Sequence, residues 1–204
     1  MNLVGLCSRG NLDDVARAVG EEGANVNEPD GSGRTALLEA AWNGNAGIVD
    51  YLLSQGADPN AADRSGFTPI MRAVEGGHRD IVGALINKGA DVNCRGRVRG
   101  VTPLMLAAEN GHLELIAALL DSGAEINAAD SYEETALARA GHAGQEQAAQ
   151  LLESRGGRVK QERSSYSNTD RDAGHVTVAS VPHWSAASQD AMAGGYGGGQ
   201  GFDD

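Results

Sequence analysis

The sequence predicts an all-α solenoid, a stack of short helix pairs in which each pair packs only on its neighbours. The first observation is a pentapeptide of the form Gly-Ala-x-x-Asn, whose copies begin 33, 33 and 34 residues apart. The copies occupy residues 23–27, 56–60, 89–93 and 123–127. The second is a threonine with nearly the same period, found at Thr35, Thr68, Thr102 and Thr135. Self-similarity at this period is typical of repeat proteins, in which stacked neighbours build one continuous core.

Residues 63–95 show how one unit is built. After a turn, Thr68 and Pro69 have the composition of an N-cap and a first helical position. The first helix ends near Gly77, because glycine accepts the left-handed conformation found beyond helix ends. An apolar stripe then predicts a second helix, with Ile81, Val82, Leu85 and Ile86 on one face. Neither helix reaches the roughly 12–15 residues needed for marginal stability alone, so both depend on stacking.

The repeated pattern Gly-x-Thr-Pro-Leu-x-x-Ala-Ala-x-x-Gly-His, followed by Ile-Val-x-x-Leu-Leu-x-x-Gly-Ala-Asp-x-Asn, resembles the ankyrin repeat. The resemblance covers residues 1 to about 157 and implies an L-shaped stack of helix pairs with projecting β-hairpin fingers. Five units fit, at about 1–29, 30–62, 63–95, 96–129 and 130–157. Asp14 and Glu153 replace aliphatic residues in the first and last units, which are therefore expected to cap a complete array.

Two departures from the family pattern stand out. The histidine that usually follows Thr-Pro-Leu and bonds to the threonine is replaced by Leu38, Met71, Met105 and Ala138. A polar lock is thereby exchanged for apolar packing, and we expect less rigid repeats. The third finger is one residue longer than the others, and its residues 94–100 read Cys-Arg-Gly-Arg-Val-Arg-Gly.

Residues 158–204 change in composition, and we expect a flexible, Gly/Ser-rich tail. Such a segment buries too little apolar area to offset the entropy of ordering it. Residues 175–184 are the exception, because they contain β-branched residues and Trp184. The alternative for this stretch is a short linear motif, or a segment that folds back onto the array.

Composition excludes several classes of protein. The net charge of −12 disfavours general binding to nucleic acid and to anionic membranes. The chain has no apolar run of about 18 residues, and its N-terminal residues lack the pattern of a signal peptide. Its two cysteines, Cys7 and Cys94, lie in different repeats, which is unlike a small secreted domain. We therefore predict a cytoplasmic protein.

Catalytic and cofactor motifs are absent from the sequence, including Gly-x-Ser-x-Gly, Gly-x-x-x-x-Gly-Lys and His-Glu-x-x-His. His78 and His112 share one repeat position, which places them about 8–10 Å apart. Zinc ligands converge to about 2.1 Å from one metal, so packing between layers is the favoured role. Cys7 is predicted to be an ordinary buried thiol. Cys94 lies near arginines that would lower its pKa, which makes a redox role the alternative there.

The resemblance implies a binding site on a concave face, formed by the fingertips and the exposed ends of the first helices. Transferred by repeat position, the candidate partner-binding residues are Arg34, Trp42, Asn43, Arg64, Phe67, Glu75, Arg97, Arg99, Val101, Glu109, Asn110 and Tyr132. Trp42, Phe67 and Tyr132 are the candidate anchors, because aromatic residues and arginine dominate interface hot spots. The alternative is a set of scattered apolar groups, which are common on any surface.

The finger arginines, Arg34, Arg64, Arg95, Arg97 and Arg99, predict a basic edge that attracts an acidic protein partner. The alternative is that they pair with Asp30, Asp63 and Asp130 on neighbouring fingers. We therefore predict a monomeric, non-catalytic protein-interaction module. One alternative is a regulatory subunit or inhibitor whose tail enters a partner enzyme. Another is an enzyme with accessory repeats, which the 47 residues of the tail are too few to support.

Overall fold

The computed structural model describes residues 2–160, which form ten helices arranged as five consecutive pairs. The first helix of each pair has seven residues and the second has nine. The helices are α1 (Leu3–Arg9), α2 (Leu12–Gly20), α3 (Ala36–Trp42), α4 (Ala46–Ser54), α5 (Pro69–Glu75), α6 (Arg79–Asn87), α7 (Pro103–Glu109), α8 (Leu113–Asp121), α9 (Ala136–His142) and α10 (Glu146–Ser154).

The helices stack in two rows. The first helices contact one another in the order α1, α3, α5, α7, α9, and the second helices in the order α2, α4, α6, α8, α10. Within each unit the two helices also pack together. This nearest-neighbour packing confirms the predicted all-α solenoid, in which a short helix is stabilised by the units on either side.

The recurring threonines cap the first helices. The hydroxyl groups of Thr35, Thr102 and Thr135 each accept a hydrogen bond from the backbone N–H three residues later, at 3.3 to 3.4 Å. Thr68 differs, because its hydroxyl lies 3.1 Å from the Cys94 sulfur and makes no capping bond to its helix. The residues that replace the family histidine are all buried. Three of the four threonines therefore cap their helices without that histidine.

The core lies between successive layers, and the predicted stripe of α6 faces it. Ile81, Val82 and Leu85 are at most 2% exposed, while Ile86 is half-buried. The two polar replacements in the terminal units, Asp14 and Glu153, lie outside the core. Asp14 forms an ion pair with Arg17 at 2.7 Å on the outer surface of α2.

Each finger is a tight reversal of the chain before a first helix. Its base is closed by one backbone hydrogen bond of 2.8 to 3.0 Å, at 30–34, 63–67, 96–101 and 130–134 for the first to fourth fingers. Within residues 2–160 no regular strand forms, and the bridge between Ala129 and Thr135 is the only β pairing. Neighbouring fingers are joined by backbone bonds from Arg64 to Ser32, from Arg97 to Ser65 and from Ser131 to Arg99.

The asparagine that ends each pentapeptide makes two side-chain hydrogen bonds to the backbone of the next repeat, and we call this pair of bonds the clasp. The Asn60 side chain donates to the Gly89 carbonyl at 3.0 Å and accepts from the Asp91 N–H at 2.8 Å. Asn27, Asn93 and Asn127 make the same two bonds with their next repeats. This clasp explains why asparagine recurs at that position.

The last clasp extends beyond the predicted boundary of the array at residue 157. Asn127 accepts from the Arg158 N–H at 2.8 Å, and the Thr135 hydroxyl donates to the Arg158 carbonyl at 2.8 Å. Residues 156–160 thus occupy the pentapeptide position, with Lys160 where the other copies have asparagine. Residues 161–204, which include the predicted flexible segment and Trp184, lie outside the described residues.

Candidate functional site

Three of the four fingers are held by an aspartate at their base. One carboxylate oxygen of Asp63 accepts from the N–H groups of Ser65 and Phe67, at 2.9 and 3.0 Å. Asp30 and Asp130 make the equivalent pairs of bonds at 2.8 to 3.0 Å. These bonds satisfy the backbone donors of the turn and fix the conformation of the fingertip.

The second carboxylate oxygen of each finger aspartate binds an arginine. Arg72 reaches Asp63 at 2.9 Å, and Arg139 reaches Asp130 at 2.7 Å, in each case from the adjoining first helix nine residues later. In the first finger that helix position is Glu39, and Arg34 bridges Asp30 and Glu39 instead, at 3.2 and 3.0 Å. The finger and its helix are therefore tied by charge in three of the four units.

Arg72 also lies between two aromatic rings. Its guanidinium carbon is 4.5 Å from the centroid of Trp42 and 4.1 Å from that of Phe67, while Glu75 binds it at 3.0 Å. Cation–π stacking on both faces holds the rings in place. We name Trp42, Phe67 and Arg72 the aromatic platform. Within this platform, the Trp42 side chain remains 47% exposed.

A shallow open cavity of about 180 Å³ adjoins the platform. Its lining combines apolar, amide and charged groups, supplied by Arg34, Leu38, Glu39, Trp42, Asn43 and Arg72. The Asn43 amide donates to the backbone carbonyl of Glu39 at 2.8 Å, which orients it at the end of α3. The cavity thus presents a fixed indole face next to a fixed amide.

A second charged cluster surrounds Arg139, which is only 6% exposed. Besides Asp130, it binds Glu109 of the preceding repeat at 2.6 Å. Burial raises the pKa of Asp130, but the hydrogen bonds from Arg139 and from the Glu134 and Tyr132 N–H groups outweigh it and hold that pKa below its usual value. Asp130 is therefore an ionised anchor for the fourth finger.

Arg99 extends this cluster to the surface. It binds Glu134 at 3.2 Å and Asp130 at 3.6 Å, and its guanidinium carbon lies 4.6 Å from the Tyr132 ring centroid. Tyr132 is 68% exposed. The predicted anchor Tyr132 is thus held against the third finger by a stacked arginine.

The third finger lacks the aspartate and the arginine together. Gly96 stands at the aspartate position, and the buried Leu106 stands where Arg72 and Arg139 lie in other repeats. Val98 at the tip of this finger is 81% exposed. The longest finger is therefore also the one that lacks an aspartate bonded to its turn and to an arginine.

Of the five finger arginines, only Arg99 pairs within residues 2–160 with an aspartate of a neighbouring finger, Asp130 at 3.6 Å, whereas Arg34 pairs with Asp30 of its own finger. Arg34 and Arg99 bind carboxylates, and Arg95 donates to the Ala129 carbonyl at 2.8 Å. Within residues 2–160 neither Arg64 nor Arg97 forms an ion pair, and both are exposed. The positive charge available to a partner is therefore concentrated on the second and third fingertips.

The remaining predicted residues divide by exposure. Glu75 and Glu109 are the carboxylate partners of the platform arginine and of Arg139, and Asn110 is exposed at the end of α7. Val101 is only 9% exposed, so it offers a partner little surface and we remove it from the candidate set. Sequence reasoning missed Arg72 and Arg139, although an aspartate followed nine residues later by arginine was a readable signal.

His78 and Cys7 have packing roles. His78 Nε2 lies 3.2 Å from the Trp42 carbonyl and so links two repeats, as the packing interpretation predicted. In the part of the chain that the structure describes, no group of three His, Cys, Asp or Glu residues is placed to hold a metal. Burial raises the pKa of Cys7 to about 12, and burial likewise raises that of Cys94. The expected lowering of the Cys94 pKa by its neighbouring arginines was wrong.

These features define a solenoid of helix pairs whose clasped repeats present a row of fingers. A family model described as "Ankyrin repeats (3 copies)" matches residues 3–96 and again residues 94–163. The chain belongs to the ankyrin repeat family, whose repeats generally serve as protein–protein interaction modules. No curated protein gives a significant match. None of the helices in residues 2–160 is both long and apolar enough to cross a membrane.

Proposed function

We propose that this protein is a monomeric, non-catalytic module that binds a protein partner through its finger face. The finger face consists of the four fingertips and the adjoining ends of the first helices. The aromatic platform carries the proposal, because it exposes Trp42 while holding it against Arg72. A side chain that is already held in place loses little conformational entropy on binding, so more of its contact energy appears as affinity.

The distribution of exposed apolar side chains supports this face over a scatter of unrelated groups. Five large apolar side chains are exposed within residues 2–160, and three of them, Trp42, Val98 and Tyr132, lie on the finger face. The other two are Leu12 on α2 and Val159 near the end of the described chain. Tryptophan and tyrosine are enriched at interface hot spots. Among these five exposed side chains, the one tryptophan and the one tyrosine both lie on the finger face.

Charge supports a partner with an acidic patch. The two exposed fingertip arginines without carboxylate partners in the described residues, Arg64 and Arg97, stand out on a chain of net charge −12. Because Arg99 already binds Glu134, its role in the proposal is to position Tyr132. The same net charge argues against nucleic acid as the partner.

The proposal includes a cytoplasmic location, which both cysteines support. Cys7 and Cys94 are free thiols in different repeats, as expected where disulfides do not form. The alternative function, a regulatory subunit or inhibitor that acts through Trp184, depends on residues outside the described structure.

Affinity capture with the full-length chain tests the proposal. Wild type, Trp42→Ala and Leu12→Ala would be immobilised and exposed to cell extract, and retained proteins measured by mass spectrometry. Leu12→Ala is the matched control, since it also removes an exposed apolar side chain but lies on α2. We expect a partner retained by wild type and by the control, and reduced with Trp42→Ala by a loss of about 2 kcal/mol or more.

Equal retention of that partner by all three proteins would contradict the finger face. A fourth variant, Trp184→Ala, identifies the alternative. Loss of the partner from Trp184→Ala but not from Trp42→Ala would favour the linear motif. Circular dichroism of each variant would confirm that the repeat stack is folded.

A further inference from the structure

Arg64 and Arg97 occupy the same position in consecutive fingers. The Arg64 N–H donates to the Ser32 carbonyl at 3.3 Å, and the Arg97 N–H donates to the Ser65 carbonyl at 3.0 Å. Each arginine backbone is therefore bonded to the finger before it, in the same register. The equivalent residues of the outer fingers, Gly31 and Ser131, are uncharged, so the arginine pair is confined to the middle of the row.

The stems of both arginines lie across glycines of the preceding finger. A Cβ atom placed on Gly66 would lie 2.6 Å from Arg97 Cγ, and one on Gly33 would lie 3.2 Å from Arg64 Cγ. Gly33 and Gly66 also have φ values of 82° and 80°, which favour glycine. Each glycine thus serves the turn of its own finger and leaves room for the arginine stem of the next finger.

The two guanidinium groups are set apart from the other arginines of this face because they have neither a carboxylate nor a carbonyl partner within residues 2–160, whereas Arg95 donates to the Ala129 carbonyl at 2.8 Å. Arg34, Arg72, Arg99 and Arg139 each bind at least one aspartate or glutamate. Arg64 and Arg97 bind none within residues 2–160 and are exposed. Equivalent positions in stacked repeats are about 10 Å apart, so the two like charges remain close enough to act on one ligand.

We propose that Arg64 and Arg97 form a two-point site for carboxylate side chains of an extended acidic segment in the protein partner. The inference rests on the proposed function and names the chemistry of its partner. A segment in the polyproline II conformation advances about 3.1 Å per residue with three residues per turn, so carboxylates three residues apart lie on one side of it and match the spacing of the arginines. Guanidinium and carboxylate groups form paired, charge-assisted hydrogen bonds of defined geometry.

Val98 adds an apolar contact to this site. It follows Arg97 at the tip of the third finger and is 81% exposed. An apolar residue next to the second carboxylate of the bound segment would cover the Val98 side chain. The site therefore selects an acidic segment that also carries an apolar residue, rather than a merely anionic chain.

A short synthetic peptide tests this site with the full-length protein. The probe is a Gly/Ser peptide with two aspartates three residues apart and a leucine after the second, and its binding is followed by NMR at the arginine Nε–H groups. We expect the peptide to shift the signals of Arg64 and Arg97. Arg64→Gln and Arg97→Gln should each weaken binding about tenfold, as loss of a charge-assisted bond does.

Matched controls make the result decisive. Arg17→Gln removes an exposed arginine that already binds Asp14 on α2, away from the finger face, and it should leave peptide affinity unchanged. A peptide with two asparagines should not bind, and one with adjacent aspartates should bind more weakly. Absence of shifts at Arg64 and Arg97, an equal effect of Arg17→Gln, or indifference to aspartate spacing would each overturn the proposal.

The close approach of Arg97 to Gly66 is tested separately by Gly66→Ala. The added methyl group would lie 2.6 Å from both the Arg97 backbone nitrogen and its Cγ, so it should displace Arg97 and weaken the peptide as Arg97→Gln does. Unchanged affinity would contradict this packing of Arg97 on Gly66. This inference and the proposed function can fail independently. If the acidic peptide does not bind but Trp42→Ala still loses the captured partner, only the two-arginine site is wrong. If the peptide binds as expected but Trp42→Ala retains the partner fully, the aromatic platform is wrong.

Discussion

At the scale of single residues, most charged side chains of the finger face stabilise the fingers, and only a few remain available to a partner. Asp63 and Asp130 each accept from two backbone N–H groups; Asp63 also binds one arginine and Asp130 binds two, so both carboxylates are paired within the fold. Asp30 has the same role, and the Ser32 hydroxyl and the backbone N–H groups of Ser32 and Arg34 lower its pKa to about 2. The first and fourth fingers are therefore held most firmly when Asp30 and Asp130 are ionised.

The pH dependence of stability follows from Asp130. Because its folded-state pKa lies below the ordinary value of 3.8, its stabilising effect is present above that pH and is lost as the pH falls below it. We expect Asp130→Asn to lower the free energy of unfolding by about 1–3 kcal/mol at pH 7. Urea titrations from pH 7 to pH 3 should show the difference from wild type shrinking at the acidic end. Asp50→Asn, an exposed control on α4, should show neither effect.

Leu85 tests the assignment of the core face. Its side chain is 0% exposed, because it lies between α6 and the helices packed against α6. Leu85→Ala should reduce the free energy of unfolding by about 2–5 kcal/mol, through lost burial and the cavity left behind. Asn87→Ala changes an exposed residue of the same helix and should stay within about 0.5 kcal/mol of wild type. Equal melting of Leu85→Ala and wild type would mean that the assigned helix face is wrong.

At the scale of elements, the third finger is the exception among four similar turns. The N–H groups of Ser32, Ser65 and Tyr132 are bonded to their finger aspartates, whereas Val98 stands at the same position after Gly96. We expect the Val98 amide to exchange its hydrogen faster than the other three, measured by NMR in deuterated buffer. Slower or equal exchange at Val98 would mean that another contact holds this finger.

Most of the helices and turns were predictable from the sequence, because local interactions determine them. Turn glycines, capping threonines and the apolar stripes of the second helices depend on neighbours within a few residues, so the sequence shows them directly. The clasp asparagines were visible as a repeat, but their partners lie 29 to 32 residues away. Their role became clear only once the repeats were stacked.

The candidate site was less predictable, because its geometry depends on contacts between repeats. Trp42 and Phe67 were singled out by position, but the guanidinium of Arg72 that lies between them was not. The sequence also could not distinguish Arg99, which binds Glu134, from Arg97, which lacks a carboxylate in the described residues. The burial of Val101 was not predictable, because it depends on how the longer third finger folds.

At the scale of the whole molecule, stability should depend on where the last clasp ends. A chain truncated after residue 160 keeps the bonds of Arg158 to Asn127 and Thr135, whereas one truncated after residue 157 loses them. We expect the longer form to melt within a few degrees of the full chain, and the shorter form to melt lower. Calorimetry of the three proteins measures this. A large loss of stability already at residue 160 would show that later residues contribute to the fold.

The central claim is that the finger face, and not the row of second helices, receives the partner. Hydrogen–deuterium exchange of the full-length chain, free and in complex with its captured partner, tests it most directly. We predict slower exchange on binding in residues 30–43, 63–75 and 96–101, which contain the aromatic platform and the arginine fingertips. Unchanged exchange there, with protection of α2, α4 and α6 or of residues 161–204 alone, would contradict the claim.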